Sequence, residues 1–288
     1  MIEQVKIIEC PRDAMQGIRS HFIPTEVKAR FINALLKVGF DTVDFGSFVS
    51  PKSIPQMKDT ADVLKRLDLS TTKSKLLAIV ANVRGANDAC HFEEIDYLGY
   101  PFSISENFQM RNTHKTISES LTILQEILSI ANRNNKEVVV YMSMGFGNPY
   151  GEPWNVDIVA QWTQKLAEMG VKIVSLSDTI GSSTPESIQY LFSNLIRDYS
   201  EIEFGAHLHT SPTKWFEKLD SAYNSGCRRF DGAIKGYGGC PMAKEELVGN
   251  MPTEKMLSYF TTKKVKTDIS PMSFESAYNK ALETFTDI

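Results

Sequence analysis

No run of apolar residues in this 288-residue chain approaches the roughly 18 positions of a membrane span, and no membrane association is expected. Basic residues are not in excess. Lys and Arg number 31 against 35 Asp and Glu, a formal net charge of −4, which leaves no basic footprint for a nucleic acid. The four cysteines, Cys10, Cys90, Cys227 and Cys240, show no paired spacing, so free thiols in a cytoplasmic protein are expected rather than a disulfide framework. The amino-terminal Met1-Ile2-Glu3-Gln4-Val5-Lys6 lacks the basic, apolar and small-residue order of a signal peptide. After the first β-rich run, Cys10-Pro11-Arg12-Asp13 lacks the glycine spacing that a dinucleotide or phosphate fingerprint requires. Histidine is scarce too. Of the five, however, two lie one residue apart in Phe204-Gly205-Ala206-His207-Leu208-His209.

What is present is an alternation of short β-rich runs with longer helical patterns. Strands are predicted at Val5–Glu9, Thr42–Phe45, Lys75–Val80, Tyr97–Ser103, Glu137–Met142, Lys172–Ser175, Glu203–Leu208 and Arg229–Ala233. Helices are predicted between them, among others at Pro24–Lys37, Ile117–Ala131, Asn155–Met169, Pro185–Ile196 and Thr213–Tyr223. Thr184-Pro185-Glu186 has the order of a cap followed by a first-turn proline, and Gly39, Gly170 and Gly226 fall where a helix ends and a strand follows. Eight such repeats predict an α/β fold, a closed (β/α)₈ TIM barrel, better than an open doubly wound sheet. The expected organisation is one catalytic domain over 1–288. Residues 253–288 form a C-terminal helical extension, with helices at Thr253–Phe260 and Phe274–Phe285 separated by Pro271, covering the barrel wall or a partner subunit.

In such a barrel the residues just past the strand ends converge on one mouth. Here they are Arg12 and Asp13, then Asp44 and Ser47, then Ser177-Asp178-Thr179, then His207 and His209, and finally Gly236-Tyr237-Gly238-Gly239-Cys240-Pro241. Period-two geometry turns His207 and His209 to the same side of their strand. By itself that is equally a polar pair on a wetted face, and Asp178 alone reads as a helix cap. Asp, His and His from different strand ends match a mixed N/O metal site, suited to Mg²⁺, Mn²⁺ or Fe²⁺, with Zn²⁺ also compatible. Cys10 and Cys227 read as core, and His21, His91 and His114 as surface or loop residues. Three glycines in the four positions before Cys240 favour a mobile loop with a functional thiol over a small buried hydrophobe.

Several phrases closely resemble the 3-hydroxy-3-methylglutaryl-CoA lyase family of metal-dependent barrel lyases and synthases. They are Pro11-Arg12-Asp13-Ala14-Met15-Gln16, Ser47-Phe48-Val49-Ser50-Pro51-Lys52, Pro55-Gln56-Met57, Ser177-Asp178-Thr179-Ile180-Gly181, His207-Leu208-His209, Gly238-Gly239-Cys240-Pro241 and Gly249-Asn250, in the family's order. The resemblance implies a divalent cation, Mg²⁺ or Mn²⁺, held by Asp13, His207, His209 and Asn250. It implies an acyl-CoA substrate, a homodimer and cleavage of 3-hydroxy-3-methylglutaryl-CoA to acetyl-CoA and acetoacetate. Arg12 corresponds to the arginine beside the thioester carbonyl, Cys240 to the cysteine of the mobile loop, and Asp178 to the acidic residue supporting the site. Gln16, Asp44 and Ser47 fall close to the ligands, and Arg19 at the CoA entrance.

The chemistry suits these residue types. Breaking a carbon–carbon bond beside a tertiary alcohol needs the hydroxyl proton removed, with His207 or Asp13 as the base, and the departing thioester enolate needs a fixed cation, which Arg12 supplies. The chain departs from the family at Asp44, where the lyases carry glutamate. It departs again at Thr210, where an aspartate is usual, so a carboxylate orienting the imidazole is expected to be missing. Lys235 replaces a small residue and adds a cation near the mouth. The rival readings are a lyase acting on a related 3-hydroxyacyl-CoA, a condensing synthase, which usually carries a longer C-terminal region, and a barrel that has lost catalysis. The last requires that Asp13, His207, His209 and Asn250 fail to converge, or converge without Arg12.

Overall fold

Strands buried on both faces read as short β-branched or aromatic runs, such as Val138-Val139-Val140, and β-runs of this kind alternate here with helices. In the computed structural model, which describes residues 4–239 and 248–285, these units close on themselves. The strands are β1 (Lys6–Glu9), β2 (Thr42–Ser47), β3 (Lys75–Ile79), β4 (Tyr97–Ser103), β5 (Glu137–Ser143), β6 (Ile173–Asp178), β7 (Glu203–Thr210) and β8 (Arg229–Gly232). All pair in parallel with their sequence neighbours, and β8 pairs with β1, closing an eight-stranded barrel. The expected strands are all present, and the largest difference is at β6, which runs on to Asp178 rather than stopping at Ser175.

The helices are α1 (Pro11–Gln16), α2 (Thr25–Leu36), α3 (Thr60–Leu64), α4 (Val83–Cys90), α5 (Glu106–Thr113), α6 (Ile117–Arg133), α7 (Val156–Glu168), α8 (Pro185–Asp198), α9 (Trp215–Asn224), α10 (Thr253–Thr262) and α11 (Pro271–Thr284). Thr184 caps α8 with its hydroxyl, with Pro185 in the first turn, and Gly39, Gly170 and Gly226 take φ of 97°, 90° and 97° as anticipated. Pro271 does not merely separate the last two helices. It opens α11, whose first turn Ser270 caps. The carboxyl-terminal segment covers the barrel wall: Phe274 meets Phe40 at 6.4 Å between centroids, and Phe285 meets Phe31 at 5.8 Å. No described helix is long and apolar enough to cross a membrane.

Two features position the site. The barrel interior is divided: Leu77, Ile79, Tyr97, Val139, Tyr141 and Ile173 form an apolar cluster on the β3–β6 side. The inward positions of β7, β8, β1 and β2 are largely polar, with His207, His209, Arg229, Asp231, Cys10 and Asp44 all buried. Second, a two-residue strand, β9 (Gly249–Asn250), pairs antiparallel with the end of β7 and sets Asn250 opposite His209.

Candidate active site

His207 and His209 lie at the carboxyl end of β7, and their tautomers follow from what their inner nitrogens meet. Nδ1 of His207 stands 3.1 Å from Asp231 Oδ2, and Nδ1 of His209 stands 3.0 Å from the Thr179 carbonyl. A carboxylate and a carbonyl only accept, so each Nδ1 carries the hydrogen and each neutral ring presents a bare Nε2. Nε2 of His209 is buried without a hydrogen-bond partner among the described residues. Burial, with His207 close by, pushes His209 down to about 4, so it is neutral at physiological pH. His207 is shifted the other way: burial lowers its affinity for a proton, but the bond to Asp231 and the charge of Asp13 outweigh it.

Asp13, in the first turn of α1 beyond β1, completes the group. Its carboxylate and ligating nitrogens of His207 and His209 all lie within 4.8 Å of one another. Burial alone would raise the Asp13 carboxyl, but Arg12 and then the two histidines hold it at about 2. Lone pairs of a carboxylate and two imidazoles converging in a buried place, one of them orphaned, are a donor set that fits a divalent cation. Asn250 Nδ2 donates to Asp13 Oδ2 at 2.7 Å, and Gln16 Nε2 to Asp13 Oδ1 at 2.5 Å. Asp13, His207 and His209 therefore come together, with Asn250 touching Asp13 through its amide nitrogen.

Arg12 is beside them. Its Nη1 donates to Asp13 at 2.9 Å, while Nε and Nη2 both meet Asp44, itself fully buried on β2. Burial pushes the Asp44 carboxyl up to about 6 against the pull of Arg12, and the two carboxylates keep the guanidinium charged despite its burial. These bonds use three of the five N–H groups. Asp44 thus serves Arg12 rather than facing the mouth. A register shift between Asp44 and Gly46 bulges β2 at this point, and Ser47 Oγ is turned to the backbone, donating to the Ile79 carbonyl at 3.4 Å.

Other expected residues lie further out. Asp178 does not join the cluster. It accepts from Ser183 and from Lys218 Nζ at 2.7 Å, and Lys218 in turn donates to the His209 carbonyl at 2.9 Å. Asp178 thereby braces the strand that carries the histidine. Arg19 is exposed, with Nη2 3.5 Å from the Ser53 carbonyl. Lys235 is exposed at φ 58° with Nζ 5.9 Å from the Tyr237 ring. Cys240 falls outside the described residues. The glycines before it come close to the site: a Cβ on Gly238 (φ 87°) would stand 2.7 Å from the Asp13 carbonyl and 2.9 Å from Asn250 Nδ2.

The expectation that no carboxylate orients an imidazole is overturned. The Thr210 hydroxyl donates to the Ser211 carbonyl, but Asp231 reaches His207 from β8. Its signal was the alternation Arg229-Phe230-Asp231, which turns the acid inward, combined with the register that pairs Gly205 with Arg229 and carries His207 alongside. Cys10 is buried as expected, yet its Sγ lies within 4.8 Å of ligand atoms of His207 and Asp231, so it floors the site. Tyr141 sets its ring against His207 at 5.6 Å, with a buried hydroxyl that has no partner among the described residues.

The model of the HMGL-like family matches residues 4–279. The chain belongs to the HMGL-like family. Within it, the chain is 33% identical to the mitochondrial hydroxymethylglutaryl-CoA lyase of Bos taurus over 88% of this chain and 78% of that protein. The solved HMG-CoA lyase of Bacillus subtilis superposes with a TM-score of 0.90 at 31% identity, covering 98% of this chain and 95% of that one. An HMG-CoA lyase from Acinetobacter baumannii, solved with coenzyme A and 3-methylmalate, gives 0.88 at 25% identity over 98% and 91% of the two chains. This HMGL-like chain is accordingly a metal-dependent carbon–carbon lyase of the barrel type, with retro-Claisen chemistry.

Proposed function

We propose that the protein cleaves 3-hydroxy-3-methylglutaryl-CoA to acetyl-CoA and acetoacetate, with Mg²⁺ or Mn²⁺ held by Asp13, His207, His209 and Asn250. The observation that carries this reading is the convergence of Asp13 and both imidazoles beside Arg12. To serve as an oxygen ligand Asn250 turns its amide, whose nitrogen here donates to Asp13. The bound cation would supply Lewis acidity, lowering the pKa of the substrate hydroxyl.

The protein's residues do the rest. Arg12, fixed by Asp44, offers its two remaining N–H groups to the thioester oxygen as the carbon–carbon bond breaks and negative charge moves there. His207 can receive the hydroxyl proton as the ketone forms only on Nε2 and only while that nitrogen is off the cation, since Nδ1 already carries the hydrogen held by Asp231. Asp13 is the rival base, though its carboxyl, held at about 2, binds a proton far less readily. Cys240 is proposed to return a proton to the enolate carbon, and Arg19 and Lys235 to meet the CoA phosphates. Asp44, one methylene shorter than the family's glutamate, draws Arg12 towards β2, which leaves a related 3-hydroxyacyl-CoA as the second reading.

The test is to incubate purified protein with 3-hydroxy-3-methylglutaryl-CoA and Mg²⁺ or Mn²⁺, with related hydroxyacyl-CoA thioesters in parallel, and to measure acetyl-CoA and the ketone product. Metal-dependent release of acetoacetate supports the reading. Cleavage of another thioester with none of this one assigns the substrate elsewhere.

A further inference from the structure

Beneath the site lies a charged residue that the chemistry above does not use. Arg229, the first residue of β8, points into the barrel two positions before Asp231 and is 1% exposed. None of its three guanidinium nitrogens has a hydrogen-bond partner among the described residues, and neither does Asp231 Oδ1 or the Tyr141 hydroxyl. Its nearest carboxylates, Glu203 at 3.7 Å and Asp41 at 3.9 Å from Nη1, attract it without a hydrogen bond. The Tyr97 ring lies 5.6 Å from its Cζ. Room for the side chain comes from Gly205 on β7, where a Cβ would stand 3.2 Å from Arg229 Cδ and 3.2 Å from Ser175 Oγ.

Buried donors and acceptors are almost never left without partners, and the usual third party is an ordered water with two to four polar neighbours. Here a cationic fork of donors and a carboxylate oxygen from β8 and a phenol hydroxyl from β5 face one interior. The other oxygen of that carboxylate holds His207 Nδ1.

We propose that Arg229 is a positioning residue, which through internal water shared with Asp231 Oδ1 fixes the Asp231 carboxylate and so holds His207 in the tautomer that aims Nε2 at Asp13. The water site is polar and wholly inside the barrel, and the water is a permanent part of the fold rather than a solvent channel. The inference rests on reading Asp13, His207 and His209 as a metal site.

Three measurements test it. A crystal structure of the wild type at high enough resolution for ordered solvent is expected to show water between the guanidinium and Asp231 Oδ1, and a dry interior there overturns the proposal. Side-chain ¹⁵N spectra of the metal-free protein, in which five histidines are readily separated and His207 is assigned with His207→Gln, are expected to show the Nδ1–H form in the wild type and a mixture in Arg229→Met. Mn²⁺ titration is expected to give affinity about 10–100-fold weaker in Arg229→Met, as for other residues that orient a ligand, with most of it recovered in Arg229→Lys. Unchanged tautomer and unchanged Mn²⁺ affinity in a folded Arg229→Met overturn it. If that variant does not fold, the wild-type solvent structure decides. A wild type that binds no Mn²⁺ refutes the metal site instead, and the spectra and the water still decide the role of Arg229.

Discussion

Replacing Arg12 by glutamine removes two things at once, and the structure allows them to be separated. One is the cation offered to the developing enolate. Losing a donor of that kind costs about 2.7–4 kcal/mol of transition-state stabilisation, or about 10²–10³ in turnover. The other is the partner of Asp44, whose side chain is 0% exposed against 8% for Arg12. Breaking a buried pair from one side costs about 3–5 kcal/mol of stability, because the remaining charge is left without compensation. Asp44 is already pushed up to about 6 with Arg12 beside it, so without Arg12 it is expected to take up a proton at neutral pH. Arg12→Gln should therefore both unfold more easily and turn over at least about a hundredfold more slowly. The double variant Arg12→Gln/Asp44→Asn removes the stranded carboxylate and should regain most of the stability with none of the turnover. Urea melts and steady-state assays across a Mn²⁺ titration read the two effects apart. Recovery of turnover in the double variant would refute the reasoning, since Arg12 would then act only by holding Asp44.

Chelation should abolish turnover and added Mn²⁺ restore it, while His209→Ala should lose Mn²⁺ binding in calorimetry; tight binding retained by that variant would remove His209 from the ligands. Cys240→Ser should cut turnover strongly with Mn²⁺ affinity unchanged, because a hydroxyl is a far weaker acid than a thiol, and near-normal turnover would return the final proton to another group. Gly238→Ala puts a methyl 2.7 Å from the Asp13 carbonyl at a φ of 87°, which should cost about 1–3 kcal/mol in a thermal melt and slow turnover; wild-type values of both would show that the loop yields freely. Glu9 is buried between the Ile234 N–H and the Thr253 hydroxyl, and burial lifts its carboxyl from 4.5 to about 8. The unfolded chain gives up that proton first, so the full contribution is present below pH 4.5 and is lost as pH rises towards 8, at up to about 1.4 kcal/mol per pH unit. Glu9→Gln should flatten that slope, and parallel stability profiles for the two proteins would rule it out.

The strands were legible because a barrel strand is buried on both faces, and runs such as Val138-Val139-Val140 state this without reference to anything distant. The candidate ligands were legible for a different reason: His207 and His209 are separated by one period of a strand, and Asp13 follows shortly after β1. What escaped the sequence depends on register. Asp231 meets His207 because β7 and β8 pair Gly205 with Arg229, and a slip of one residue would turn Asp231 away. Asn250 meets Asp13 because a two-residue strand, with no propensity of its own to declare, finds an edge at the end of β7. Asp44 was visible as an acid at a strand end, but nothing local says that it faces Arg12 rather than the mouth. The same distinction explains why the two imidazoles can be ligands at all. Their spacing brings them to one side of a strand, but it is the acceptors on their inner nitrogens, Asp231 from β8 and Thr179 from beyond β6, that keep both outer nitrogens bare. Without those acceptors either ring could turn its hydrogen towards Asp13 and satisfy the carboxylate directly, and the group would be a closed hydrogen-bond network with no place for a cation.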